Sequence, residues 1–358
     1  MKKEKKNSGL IGLRGILVLM TALGFHYSML YGMVPAKSQV GVRMFNLFYV
    51  FGLTAPNVFL IMSGYFMYHK YRQRIRDGLG FKDYLAPRVK KIYPLMIFFH
   101  LYLFAVENIG KLQLGVYPLH ADGGELRYSL KSLIVSILGI QSGLFAEADS
   151  MSVNGPSWFV TTLMLCYILY FLIVRFVKNK QLECAVYVML GIIGVIFTFR
   201  PVHFPFLYEC SARGLFFFFA GIIIHIAMDA SSENGRKKQI CVAILLLIVM
   251  GILTVLVNYN DFTVWQTYLT WPCMVYLIIN SNTLQKALSF PPFVWVGNRS
   301  MSVFLGNLPI LTTVSWLNLL YGWNLDYGNW TVWLLVAALT LIIGEITYYI
   351  FENRRRKK

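Results

Sequence analysis

Charge is scarce in this chain. Charged residues fill 14% of 358 positions, and only 16 residues are acidic. Soluble domains carry about 25% charged and roughly 45–50% apolar residues. Here the apolar share is 57% and mean hydropathy is +0.58, which excludes an ordinary soluble enzyme and a disordered protein. Cysteine is also sparse and oddly placed. Cys166, Cys184, Cys210, Cys241 and Cys273 are odd in number and widely spaced, and at least three fall inside apolar runs. That is neither a disulfide framework nor a metal-ligand pattern, and they read as buried apolar filler. Internal repeats, heptads and low-complexity linkers are missing too, so one domain over 1–358 is the economical reading.

What the chain has instead is a series of long apolar runs: roughly 9–33, 45–67, 92–109, 156–176, 182–199, 213–228, 239–258, 263–280, 295–318 and 330–351. The length suits about ten spans of roughly 20 residues each. Aromatics reach 16%, with Trp and Tyr often near run ends, as interfacial belts require. The expected fold is all-α, a polytopic membrane helical bundle of about ten transmembrane helices. Met1–Lys6 is basic and precedes the first run. That run is too long, and too poor in small residues at its end, for a signal peptide, so a retained first helix is expected.

The cations outnumber the acids, 33 to 16, for a net charge of +17. In a soluble protein this would suggest nucleic acid. Here topology explains it, because cytoplasmic loops retain Lys and Arg, and no nucleic-acid partner is expected. With the N-terminus inside, the inside segments hold 24 cations, the outside segments six, and Arg14, Arg213 and Arg299 lie within or at the ends of spans. Both termini are therefore expected in the cytoplasm. The longest outside segment, about 108–156, contains a weaker apolar stretch, Leu130–Phe145. It reads as a re-entrant or interfacial helix.

Ionisable groups inside spans are expensive and are functional candidates by default. The first run holds Arg14 and His26. Twelve residues of helix rise about 18 Å, so Arg14 should sit near the cytoplasmic mouth and His26 well past the midplane. In the second run, Ser63 and Gly64 point to close helix packing. Between Lys70 and Lys91, eight cations fall in 22 residues, more than orientation needs. Arg88 and Lys91, three apart, share a helix face. They suit either anionic lipid headgroups or a phosphorylated ligand entering from the cytoplasm. Asn154 and Trp158 open the fourth run, with Pro156 fitting a first helical turn. Glu345, deep in the last run, reads as a structural partner for a Lys, Arg or polar side chain.

Several stretches, in order, carry a resemblance. They are Gly12-Leu-Arg-Gly-Ile16 followed by His26-Tyr27; Phe59-Leu-Ile-Met-Ser-Gly-Tyr-Phe66; Tyr84-Leu-Ala-Pro-Arg-Val-Lys-Lys-Ile-Tyr-Pro94; Gly155-Pro-Ser-Trp-Phe159; Arg213-Gly-Leu-Phe-Phe-Phe-Phe-Ala-Gly221; and Val296-Gly-Asn-Arg-Ser-Met-Ser-Val-Phe-Leu305. Together they resemble the acyltransferase 3 family of integral membrane acyltransferases. The resemblance implies ten spans in a bacterial plasma membrane. It also implies transfer of an acyl group, usually acetyl, from cytoplasmic acyl-CoA to a carbohydrate or lipid-linked glycan at the outer face. By that likeness His26 is catalytic, Arg14 supports it, and Arg88 and Lys91, with Lys90 nearby, belong to the donor side. Ser63, Tyr65, Asn154 and Trp158 are candidate pocket liners. Acyl-CoA is then a substrate. No permanently bound cofactor or metal is expected.

Three departures bear on that likeness. The family usually has ten residues between the first-helix Arg and His, whereas this chain has eleven. A step of eleven rotates about 20° around an ideal helix, and a step of twelve about 120°. A π-bulge near Gly24, or an equivalent irregularity, is therefore expected if His26 is to share the face of Arg14. Where members often carry a second His, this chain reads Leu305-Gly-Asn307, and the Ser-x-x-Glu that often follows Trp is absent from Trp158-Phe-Val-Thr-Thr-Leu163.

Acyl transfer to a hydroxyl needs a base and donors for the developing oxyanion. The expected route places the CoA phosphates on Arg88 and Lys91 and runs the pantetheine arm inward past Arg14. His26 then acts as general base or, in a variant, as acyl carrier. Either role needs a neutral imidazole, and apolar surroundings disfavour the charged form. Two other classes fit the same residues: a glycan or lipid transporter, with a path between alternating gates, and a membrane receptor without chemistry. An acyltransferase requires a basic vestibule narrowing toward His26.

Overall fold

The computed structural model describes residues 8–31, 42–119, 124–141, 153–200, 207, 209–257 and 264–353. Among these residues there are helices and short connections, and no strand. In chain order the α-helices are α1 (Ser8–Met20), α2 (Ser28–Tyr31), α3 (Val42–Arg76), α4 (Phe81–Leu114), α5 (Gly124–Arg127), α6 (Leu130–Leu138), α7 (Trp158–Phe176), α8 (Lys180–Phe199), α9 (Glu209–Ala230), α10 (Glu233–Val257), α11 (Val264–Asn280), α12 (Asn282–Leu288), α13 (Pro291–Asn298), α14 (Ser300–Tyr321) and α15 (Trp330–Thr347). Among the described residues seven helical segments are long and apolar enough to cross a membrane: Ser8–Leu30, Phe81–Leu114, Gly155–Phe176, Lys180–Phe199, Cys210–Ala230, Ser300–Tyr321 and Trp330–Glu352. The expected runs 45–67, 239–258 and 263–280 coincide with α3, α10 and α11.

Glycine decides which helices meet closely. A Cβ on Gly12 would strike the carbonyl of Leu288, one on Gly15 that of Phe293, and one on Gly297 that of Ile11. α1 is thereby pressed backbone to backbone against the end of α12 and against α13. Gly64 faces the carbonyl of Phe218, and Gly221 faces that of Ile61, which brings α3 and α9 together the same way. This is how small residues act where lipid offers no hydrophobic gain for helix association. Fully buried Phe217, Phe218, Phe219, Tyr170 and Tyr187 fill the core beside that contact.

The basic segment is more ordered than a loop. α3 continues to Arg76 and α4 starts at Phe81, leaving a short turn that contains Gly78 at φ +104°. The extension of α3 is tied down by Glu183 on α8, which is 1% exposed. Glu183 accepts a forked pair of hydrogen bonds from Arg72 (3.0 and 2.7 Å) and another from Arg76 (2.8 Å). Two of the eight cations are therefore structural.

The stretch Leu130–Phe145 contains the nine-residue α6, capped by Ser129 and ended by Gly139 at φ +69°. Nine residues rise about 14 Å, under half of a hydrocarbon core of about 30 Å. Leu130, Ile134 and Leu138 are exposed on one face while Leu133 and Val135 are buried, the pattern of a helix lying at a surface. Residues 142–145 of that stretch lie outside the described residues, as do Met1–Lys6 and the C-terminal basic cluster. Glu345 pairs with Arg299, whose guanidinium also lies over Trp295 and Tyr348. All five cysteines are free thiols.

Candidate active site

The first helix leaves α geometry where the extra residue sits. α1 runs straight into a π-helical turn, Thr21–His26. Such a turn takes up one residue, so Arg14 and His26 both point into the bundle despite their twelve-residue step. The Thr21 hydroxyl lies 2.9 Å from the carbonyl of Gly52, and Trp333 Nε1 donates to the carbonyl of Leu23 at 2.9 Å. These contacts hold the irregular turn in place.

His26 is 5% exposed. Its Nδ1 lies 3.1 Å from Oδ1 of Asn307 on α14, and Asn307 Nδ2 reaches Thr340 Oγ1 at 3.3 Å. An amide oxygen only accepts, so Nδ1 carries the proton and Nε2 keeps its lone pair. Asn307 belongs to the Leu305-Gly-Asn307 stretch, one of the departures from the family pattern. It is a functional candidate that the departure flagged without assigning it a role.

A cavity of about 410 Å³ opens at the end of the bundle that bears the basic segment. Of the nine residues singled out in the sequence, Arg14, Ser63, Arg88 and Lys91 line it. Arg88 is stacked between the rings of Tyr71 (4.1 Å) and Tyr84 (4.2 Å), and its Nη1 is buried without an acceptor. Arg14 donates through Nε and Nη2 to the carbonyl of Gly297 (3.1 and 2.6 Å), fixing α1 to α13. Lys70 contributes a further cation, and Glu352, held by Ser302 Oγ at 2.8 Å, is a carboxylate in the wall.

The lining descends along α3 from Lys70 through Ser63 to Phe59, and along α14 from Ser300 to Phe304. Phe59, Phe159 and Phe304 close the inner end, their ring centres 5.7–6.4 Å apart. The next turn of α14 presents Asn307 to His26. The imidazole therefore does not line the cavity. It lies behind Phe304, ring centre to ring centre 6.1 Å, and one helical turn of about 5.4 Å separates the two levels. All three fall within stretches that carry the family resemblance, but nothing in the sequence assigned any of them a place at the site.

The other candidates lie apart from the cavity. Lys90 is exposed on another face of α4. Tyr65 packs on His225, ring centres 5.0 Å apart. Asn154 donates to the carbonyl of Leu305 at 2.9 Å, and Trp158 lies under the guanidinium of Arg213 at 4.7 Å. Neither lines the cavity, and Asn154 meets α14 one residue past Phe304. Nearby, His100 donates through Nδ1 to the carbonyl of Met96 (2.7 Å) and turns Nε2 toward Ser157 Oγ (3.0 Å), linking α4 to the turn before α7. Among the described residues no three His, Cys, Asp or Glu side chains gather as a metal site would require.

A family model described as an acyltransferase domain matches residues 7–349. The chain belongs to the acyltransferase 3 family. It is similar to a protein of Shigella phage Sf6 named O-acetyl transferase, with 22% identity over 315 residues, covering 86% of this chain and 87% of that one. No solved structure matches. The chain is thus a multi-pass membrane acyltransferase, and the sequence resemblance is confirmed at the level of the family. In this acyltransferase the buried histidine and the basic cavity are adjacent parts of one bundle.

Proposed function

We propose that the protein transfers an acetyl or similarly small acyl group from cytoplasmic acyl-CoA to a hydroxyl of a carbohydrate or lipid-linked glycan at the outer face. The observation that carries this reading is the alignment of the basic cavity with His26 across a single phenylalanine. In this reading residues 1–358 form one domain of ten spans in a bacterial plasma membrane, with both termini in the cytoplasm.

The cavity chemistry suits a phosphorylated thioester. Arg88 is preorganised by two tyrosine rings and has no carboxylate on it, and guanidinium groups bind phosphate in a fork. Lys91 and Lys70 add positive charge at the mouth. The pantetheine arm follows the apolar lining inward past Arg14 and Ser63 and brings the thioester to Phe304. Displacement of that ring joins the cavity to the imidazole.

His26 Nε2 then accepts the proton of the acceptor hydroxyl as that oxygen attacks the thioester carbon. The oxygen–acyl bond forms, the carbon–sulfur bond breaks, and the proton passes to the departing CoA thiolate. Asn307 holds the imidazole in the tautomer this requires.

The test uses membranes carrying wild type or His26→Ala, supplied with radiolabelled acetyl-CoA. Label enters a glycan or lipid fraction with wild type only. Equal incorporation by both would remove His26 from the reaction. No turnover of any acyl-CoA would favour a transporter.

A further inference from the structure

Arg213 is the least compensated cation among the described residues of the bundle interior. It lies in the second turn of α9 and is 6% exposed. Its Nε is buried without an acceptor, and among the described residues its guanidinium makes no ion pair and donates no hydrogen bond. Its one polar interaction there is with the face of the Trp158 ring, 4.7 Å away.

Arginine cannot escape the cost of burial by losing its proton. An unpaired buried charge is strongly unfavourable, and an aromatic face recovers only part of the loss. The surroundings repeat the pattern. Thr161 Oγ1, Thr162 Oγ1 and Asn154 Oδ1 are also buried without partners, and all three belong to the same end of α7 as Trp158. Thr162 packs against Gly214, the residue after Arg213, and native interiors leave few such atoms unsatisfied, so an uncompensated guanidinium with unsatisfied polar atoms on the element packed against it marks a seat for a polar, negatively charged ligand.

Position identifies which substrate that is. Phe159, the residue after Trp158, is part of the wall that ends the basic cavity. Asn154 bonds to the carbonyl of Leu305, and Asn307 two residues further bonds to His26. Trp158 and Asn154 precede Phe159 on the chain and, like Arg213, do not line the basic cavity, so Arg213 and its ring are separated from the donor side by the wall.

We propose that Arg213, held over Trp158, binds a negatively charged group of the acyl acceptor, a carboxylate or phosphate carried by the sugar, with the neighbouring threonines and Asn154 available to its hydroxyls. The proposal rests on the acyl-transfer reading for the role of acceptor, and it makes that acceptor acidic.

The test uses the full chain in detergent with methyl glucuronoside, inorganic phosphate and, as the neutral control, methyl glucoside, at constant ionic strength. Thermal stabilisation of wild type by glucuronoside identifies a carboxylate. Stabilisation by phosphate that survives Arg88→Gln identifies a phosphate. Arg213→Gln abolishes the effect. If that variant does not fold, Arg213→Lys serves, with probe affinity at least threefold weaker.

In the transfer assay Arg213→Gln raises KM for the charged acceptor at least tenfold and leaves KM for acetyl-CoA unchanged. The proposal is overturned if neither charged probe exceeds methyl glucoside on wild type, or if the Arg213 variants bind as wild type does. Arg213-dependent binding without acetyl transfer to any acceptor would instead overturn the acyl-transfer reading.

Discussion

Nδ1 of His26 and Oδ1 of Asn307 lie 3.1 Å apart and 281 residues apart in sequence. This contact fixes the imidazole proton on Nδ1 and turns the basic nitrogen, Nε2, away from Asn307. Asn307 is accordingly a positioning residue. Asn307→Ala should lower kcat with little change in KM for acetyl-CoA. Its loss should stay within the about 10²–10⁴-fold expected for removal of a general base. Steady-state kinetics on purified protein decide this; an unchanged kcat would show that the hydrogen bond does not orient the base.

The π-helical turn makes an unusual prediction about chain length. Deleting Ala22 should convert Thr21–His26 to regular helix while restoring the eleven-residue step, so transfer activity should persist in part. Inserting an alanine after Ala22 instead rotates His26 by about 100° and should abolish activity. Label incorporation by the two variants, at equal expression, is the comparison. Inactivity of both would mean that the turn matters for more than facing.

Phe304 separates the end of the cavity from His26. Phe304→Ala should extend the cavity and shift donor preference from acetyl-CoA toward longer acyl-CoA by at least tenfold in the ratio of kcat/KM values. Truncating a buried phenylalanine costs about 3–5 kcal/mol of stability, so Phe304→Leu is the companion variant, with a smaller shift in the same direction. An unaltered chain-length profile in both would rule out Phe304 as the limit.

Arg88 is held by stacking as well as by charge. Arg88→Lys keeps the charge but loses the planar contact with Tyr71 and Tyr84, so it should weaken CoA binding nearly as much as Arg88→Ala does. Titration of CoA by calorimetry, with dephosphorylated pantetheine as control, gives the loss and shows whether it follows the phosphates.

Glu183 is nearly fully buried and serves two arginines. Removing one partner of a buried ion pair costs about 3–5 kcal/mol. Glu183→Gln should therefore lower the thermal midpoint clearly while leaving KM for acetyl-CoA near wild type in the folded fraction. A midpoint equal to wild type would mean that Arg72 and Arg76 find other acceptors.

Much of the architecture was legible before the structure. Apolar runs about as long as a bilayer is thick have few alternatives to helices, because backbone groups in hydrocarbon must pair within their own segment. The position of Arg14 and His26 on one helix and their off-phase spacing followed from helix periodicity; the need for an irregular turn followed once the family resemblance put both residues at one site. The shared face of Arg88 and Lys91 followed from periodicity as well.

What faces what across the bundle did not follow, because it depends on how helices far apart in sequence pack. Backbone contacts at Gly12 and Gly15 seat α1 on α12 and α13, and those at Gly64 and Gly221 seat α3 on α9. The packing of α14 and α7 against these pairs places Asn307 beside His26, Phe304 between the imidazole and the cavity, and Trp158 beneath Arg213. Local periodicity determined the elements and the face each residue occupies. The tertiary structure decided which of those faces became a cavity, a wall or a charged seat, since side-chain contact across a bundle depends on the meeting of two helices, and neither helix encodes that meeting alone.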